Sequence, residues 1–262
     1  VFLGGTPVPS EPGEVALAVE GVYVPGEKEL SKLRGVSFSV RRGEILGIAG
    51  VNGNGQSELA EAIAGLRPVQ RGRVVLGGVE VQNMPPRKIR EHGLSHIPED
   101  RNLRGLDRQS DVKENLAACS FSEPPLSRGG VVNWGRVREF ADDLIRSYDI
   151  RPAGVDVPAA GLSGGNAQKV VVAREVSGRA PVLLASQPTR GVDIGSIETI
   201  RAELNRAKKE GAAVVLISSD LEEILSLSDR IAVMFEGRIT GEVSSSEADE
   251  LSLGLLMTGG RR

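Results

Sequence analysis

Two glycine-rich stretches carry the residue types that could do chemistry in this chain. The first, GVNGNGQS at 50–57, follows a short apolar run at 44–50 and precedes helical spacing at Leu59, Ile63 and Leu66. Gly50, Gly53 and Gly55 let the backbone turn sharply, so successive N–H groups along Val51, Asn52 and Asn54 can point into one pocket. The positive end of the following helix adds to those donors, and the combination suits phosphate oxygens. A phosphate loop reads Gly, four residues, Gly, Lys, Ser/Thr, with the lysine on the outer phosphates and the hydroxyl on Mg²⁺. Gly50, Gly55 and Ser57 match that pattern, while Gln56 stands where the lysine belongs. Gln56 can donate a hydrogen bond but brings no charge. Hydrogen bonds to charged groups contribute about 1.5–3 kcal/mol, so nucleotide binding is expected to be weakened rather than erased. From the loop alone, a glycine turn without a ligand stays equally open, and the spacing does not fit the GxGxxG of a dinucleotide site.

The second stretch is LSGGNAQK at 162–169. Ser163 is a natural N-cap for a helix running to about Val176, and Gly164 and Gly165 leave bare N–H groups beside it. An ordinary capped helix is the plain alternative, and Val170–Val172 even fits a strand.

The elements that must position these stretches follow from periodicity. Residues 15–24 and 33–40 alternate as half-buried strands, and 72–81 reads as a hairpin turning at Gly77 and Gly78. Residues 85–94 open with proline and end on Gly93, as a helix does. Helical patterns at 112–119 and 134–150, joined by the loop SEPPLSRGG, predict a helical subdomain at about 100–160. Beyond it come a strand (181–186), a helix (196–211), a strand (212–219), a helix (220–228) and a closing hairpin (230–243). This alternation predicts an α/β fold with a largely parallel sheet.

The 262 residues balance 32 Lys+Arg against 35 Asp+Glu, a net charge of −3 that gives no basic footprint for nucleic acid. No apolar run approaches the roughly 18 residues of a membrane span. Cys119 is the single cysteine and cannot form an intrachain disulfide, so a reducing compartment is expected. Residues 1–14 carry neither a basic nor an apolar signal region and read as a linker tail. With Val1 in place of Met, the chain reads as the C-terminal part of a longer polypeptide.

LSGGN followed by Lys169 and Arg174, together with GVNGNGQSEL, IPEDR (97–101) and QPTRGVDIGS (187–196), resembles the ATP-binding domain of ABC transporters over about residues 15–245. More narrowly, these motifs resemble the second nucleotide-binding half of bacterial importers for simple sugars and nucleosides. The resemblance implies a P-loop NTPase of the ABC ATPase type at 15–262. Its parts would be a mainly parallel core sheet, an antiparallel β subdomain and the inserted helical subdomain.

It also implies roles, position by position. The strand that ordinarily ends in Asp-Glu, for Mg²⁺ and for polarising water, here ends in Ser186 and Gln187. The switch histidine falls at Ser219 and the Q-loop glutamine at Glu99, whose charge would not welcome phosphate. Register puts Gly26, rather than the nearby Tyr23, where an aromatic residue would stack on adenine. These positions are degenerate, and losing one well-placed catalytic donor costs on the order of 10²–10³ in rate. Hydrolysis by this half is therefore not expected.

What survives serves a partner. In ABC dimers, Ser163, Gly164 and Gly165 would touch ATP held by a second ATPase half, and Asp193 would communicate across the interface. ATP is the implied ligand, with Mg²⁺ weakly held through Ser57 or shared with the partner half. Transmembrane permease subunits, docked near PEDRNLRG (98–105), are the implied partners on the cytoplasmic face. SQP in place of Asp-Glu-Pro leans toward the nucleoside branch. A stand-alone ATPase and a nucleotide-free scaffold remain as other readings.

Overall fold

The computed structural model describes residues 12–26, 32–152 and 154–259. Residues 1–11 of the expected linker tail lie outside the described residues. The chain opens with strands β1 (Val15–Val24), β2 (Leu33–Arg41) and β3 (Ile45–Ala49), then helix α1 (Gln56–Ile63). A hairpin of β4 (Arg71–Leu76) and β5 (Val79–Glu80) leads to α2 (Pro86–Glu91) and β6 (Leu94–Ile97). Next come α3 (Val112–Ala117), the short hairpin β7 (Ser127–Arg128) and β8 (Val131–Val132), α4 (Trp134–Ser147) and α5 (Gly164–Ser177). The closing run is β9 (Val182–Ser186), α6 (Ile194–Lys209), β10 (Ala213–Ser218), α7 (Leu221–Leu227), β11 (Arg230–Phe235), β12 (Arg238–Ser244) and α8 (Glu250–Met257).

The described chain divides into two compact units. One holds the residues up to His96, Ala180–Gln187 and those from Asn205 onward; the other holds Ile97–Arg179 and Pro188–Leu204. The first contains two sheets. One is antiparallel in the order β2-β1-β4-β5, and its last turn uses Gly77 at φ 55° and Gly78 at φ 84°. Positive φ at both turn residues matches the twist of a two-residue hairpin, which is why two glycines sit there. The other sheet has the order β12-β11-β3-β10-β9-β6, with β11, β3, β10 and β9 paired parallel and β12 antiparallel at the edge. Every residue of β3, β9 and β10 is buried, which explains their unbroken apolar runs. Apolar side chains of both sheets and of α1 form one core, including Leu17, Val36, Ile48, Leu59, Leu184 and Val215.

In the second unit, α4 buries Val137, Ala141, Leu144 and Ile145 along one stripe and is capped by Asn133, whose carboxamide oxygen accepts from the Arg136 N–H at 3.1 Å. Ala117, Leu126 and Val137 form a small core there, with Phe121 and Phe140 against it. Three elements exceed the sequence expectations: β6, the β7–β8 hairpin inside the stretch read as a loop, and α8. Among the described residues no helix is long and apolar enough to cross a membrane.

Candidate functional site

Register decides where the loop residues emerge. Ala49 pairs with Ser218, and Ile217 pairs with Ser186, so β3, β10 and β9 end side by side. Gly50, Ser219 and Gln187 follow those three ends at one edge of the sheet. Ligands of open parallel sheets bind outside the carboxyl ends of the strands, so the sequence positions singled out above converge where the fold favours a site.

The loop itself turns through Gly53 at φ 92° and Gly55 at φ 109°, both in the left-handed region that glycine tolerates. Gly55 starts α1 without any side-chain cap, leaving the first-turn amides to other acceptors. Asn54 pins the loop from outside. Its amide donates to the Val51 carbonyl at 3.1 Å, and its carboxamide oxygen accepts from the Glu236 N–H at 2.9 Å. Its carbonyl accepts from the Gly237 N–H at 2.8 Å. Gln56 departs from expectation. Its amide nitrogen donates to the Val51 carbonyl at 3.1 Å, inside the loop, and its buried Oε1 has no hydrogen-bond partner. A Cβ at Gly50 would lie 2.4 Å from that nitrogen, so the glutamine needs the glycine to fold in this way. Ser57 is exposed on the first turn of α1.

Two of the altered positions, Gln187 and Ser219, meet in one uncharged network with Asn52 of the loop. Gln187, held at φ 48°, accepts through Oε1 from both the N–H and the hydroxyl of Ser219, each at 3.3 Å. Its amide nitrogen lies 3.5 Å from Oδ1 of Asn52 on the loop. Ser186, 2 % exposed, has a buried hydroxyl without a partner. No side chain of this network is able to take up a proton near neutral pH. Magnesium is held by carboxylates together with phosphates. Ser186 and Gln187 offer no carboxylate, which leaves the exposed Ser57 hydroxyl as the one oxygen of the expected cation ligands.

The second glycine stretch lies in the other unit. Ser163 is exposed and caps α5, its hydroxyl accepting from the Asn166 amide side chain at 2.9 Å and from the Asn166 N–H at 3.4 Å. Asp193 turns its carboxylate back onto the Ser196 N–H and hydroxyl, both at 2.9 Å. Those bonds, the backbone one first, hold its carboxyl below the usual aspartate range. Glu99, expected to repel phosphate, is paired with Arg190 at 2.6 Å. Sequence reasoning missed Arg101, which donates to the carbonyls of Arg190 at 2.8 Å and Gly191 at 3.2 Å. This arginine ties the IPEDR segment to the TRGVD segment.

Gly165 has a packing reason to be glycine. A Cβ there would lie 2.2 Å from Asp193 Oδ2 and 2.5 Å from Ser196 Oγ. Gly165→Ala should therefore lower stability by about 1–3 kcal/mol through overpacking. Gly161→Ala, with nothing within 4 Å of the added carbon, should be close to neutral. Urea midpoints of the two variants check this, and equal midpoints would refute it.

The ring of Tyr23 covers Gly35, its hydroxyl 3.0 Å from where a Cβ would be. His92 caps α2 in solvent, whereas His96 is half-buried on β6.

Comparison with known proteins completes the picture. The family model described as "ABC transporter" matches residues 33–190. The guanosine import ATP-binding protein NupO of Bacillus subtilis is 46% identical over 250 residues, covering 95% of this chain and 49% of that protein. The nucleoside import ATP-binding protein NupA of Lactococcus lactis is 43% identical, over 96% of this chain and 50% of its own length. The ribose import ATP-binding protein RbsA 2 of Rubrobacter xylanophilus is 42% identical, over 97% and 47%. The chain thus spans about half the length of the curated relatives it matches. An ATP-binding subunit of an ABC transporter superposes with a TM-score of 0.77 at 21% identity, covering 93% of this chain and 99% of that one. A nucleotide-free ATP-binding cassette gives 0.75 at 24%, over 93% and 95%. The likeness to solved structures fixes a P-loop ABC ATPase fold, and the matched family model with the two glycine motifs leaves one assignment: this chain belongs to the ABC transporter family, as one of its ATP-binding domains.

Proposed function

We propose that the chain is the second ATP-binding half of a bacterial importer for nucleosides or simple sugars, one that binds ATP without hydrolysing it and completes the site of a partner half. The observation that carries this reading is the neutral network at the strand ends. Gln187 bonds to both Ser219 and Asn52, Ser186 is buried beside it in sequence, and none supplies a base. The LSGGN start is meanwhile intact and its Ser163 exposed. In this reading the residues 50–57 cradle phosphates of the chain's own ATP. Ser163, Gly164 and Gly165 face ATP on the partner half, and Asp193 transmits across that interface.

Relatives named for guanosine, nucleoside and ribose import support the solute class, and the SQP sequence favours nucleosides. Attachment to the cytoplasmic face would come through permease subunits. A cleft of about 520 Å³, lined by Leu103, Phe121 and Trp134 together with Arg104, Asp107 and Glu114, offers a seat of mixed polarity for a short permease helix. Leu103 is 75% and Trp134 52% exposed, so two large apolar side chains stand open at that cleft.

Calorimetric titration of ATP into the purified chain, with phosphate release followed on the same sample, tests the proposal. Binding without release is the expected result; sustained release, contamination excluded, would overturn it. One observation favours a second reading, a nucleotide-free scaffold: the Gln56 amide already occupies the Val51 carbonyl inside the loop. Lack of ATP binding together with tight pairing to an ATPase half would select that reading.

A further inference from the structure

We infer that the phosphate loop of this chain takes a nucleotide polyphosphate without a divalent cation, an inference that rests on the reading of the loop as a nucleotide site. A metal-dependent phosphate site needs oxygens on the protein side of the ion, commonly one or two carboxylates. Ser186 stands at the end of β9, 2 % exposed and uncharged. Beside it, Oε1 of Gln187 is turned to the N–H and hydroxyl of Ser219.

The carboxylates adjacent in sequence are committed elsewhere. Asp220 caps α7 through the Glu222 N–H at 2.9 Å and the Glu223 N–H at 3.4 Å. Glu58, on the first turn of α1, faces the Lys32 ammonium at 3.8 Å. Among the described residues no group of three or more His, Cys, Asp or Glu side chains is placed to hold a metal.

Charge accounting points the same way. Compared with a Lys, Asp and Glu set, the Gln56, Ser186 and Gln187 set lacks one cation and two anions. A free triphosphate therefore meets no carboxylate at positions 186 and 187 whose repulsion a metal must offset. What holds it are backbone N–H groups around Gly53 and Gly55 and the uncapped start of α1. Those donors bind phosphate oxygens whether or not an ion lies on their far side. With only the neutral Ser57 hydroxyl left to reach an ion, the protein binds the free and the ion-paired nucleotide about equally, by linkage.

The test is calorimetric titration of ATP into the purified chain in excess EDTA and again in millimolar magnesium chloride. Electron paramagnetic resonance would follow Mn²⁺ binding to the nucleotide complex. The two ATP dissociation constants should agree within about threefold, and Mn²⁺ should bind the complex no more tightly than it binds free ATP. An affinity about tenfold or more higher with magnesium would overturn the inference and leave the nucleotide site standing. Binding under neither condition would overturn the nucleotide reading and the inference together. Ser186→Asp combined with Gln187→Glu should introduce a magnesium dependence of about tenfold. A double variant with a native melting transition that still ignored magnesium would also count against the inference, since the indifference would then come from elsewhere in the site.

Discussion

Ser163→Asp should lower ATP hydrolysis by the complete two-half transporter ATPase about 10²-fold or more, while this chain melts within a few degrees of the parent. The two readouts separate because the proposed function gives Ser163 a second job besides its cap. As the N-cap of α5, its hydroxyl accepts from the Asn166 N–H and side-chain amide. Aspartate caps helices about as well as serine and adds a favourable charge at the positive helix end, so folding is preserved. In the proposed function that hydroxyl also faces the outer phosphate of ATP on the partner half. A carboxylate in its place would set an anion against an anion where charge develops during hydrolysis. Ser163→Asn, close to aspartate in shape and equally good as a cap, is the control and should keep most of the activity. Hydrolysis by the Asp variant within about threefold of the parent would show that this helix start does not face a phosphate.

The fold was legible where the chain repeats a simple physical pattern. The continuous apolar runs at 181–186 and 212–219 became the fully buried β9 and β10, and Ser163 and Asp220 became the caps their types favour. Short elements escaped because they carry too few residues to show a period. Strands β7 and β8 have two residues each, turning at Gly129 and Gly130, and β6 has four. Helix α8 holds Gly254 in its interior and exposes Leu251 and Leu255, so no apolar stripe announces it. The division into compact units was equally hidden: 188–204 groups with 97–179 through contacts that no local pattern encodes.

The candidate site shows the same division. Residue identities at 56, 186, 187 and 219 could be read in line, because spacing alone places them after strands. Their hydrogen-bond commitments could not. Glu99 reads as a bare acid in sequence, and its neutralising Arg190 is 91 positions away. Arg101 reaches Arg190 and Gly191 across a similar gap. Gln56 reads as a donor for phosphate, yet the curl of the loop brings the Val51 carbonyl within 3.1 Å of its amide. A pattern of residue types fixes which groups arrive at an edge, and packing then decides which of them are already engaged.

Lys208→Met should destabilise the chain by about 3 kcal/mol, a drop of about 10 °C in melting temperature for a domain of this size. Lys208 is a charged side chain with 0% exposure, its ammonium 2.6 Å from Asp229 Oδ1. The other oxygen of Asp229 accepts from the Ile45 N–H at 2.8 Å. One ion pair thus ties the last turn of α6 to the first residue of β3 and to the residue before β11. Breaking a buried pair costs about 3–5 kcal/mol because the remaining charge loses its partner. Asp229 is 24% exposed and keeps the Ile45 bond, which places the cost at the lower end of that range. Lys208→Met with Asp229→Asn leaves no stranded carboxylate and should recover part of the loss, and the double-mutant cycle measures the coupling. Lys209→Met, on the exposed neighbour, should stay within about 0.5 kcal/mol of the parent. ATP affinity should not change in the Lys208 variant. The pair sits at the start of β3, and the phosphate loop leaves its far end, about 16 Å along a five-residue strand. A melting shift below about 2 °C would show that the pair does not hold these elements together. A fall in affinity beyond about threefold at temperatures where the variant remains folded would show that it also sets the loop.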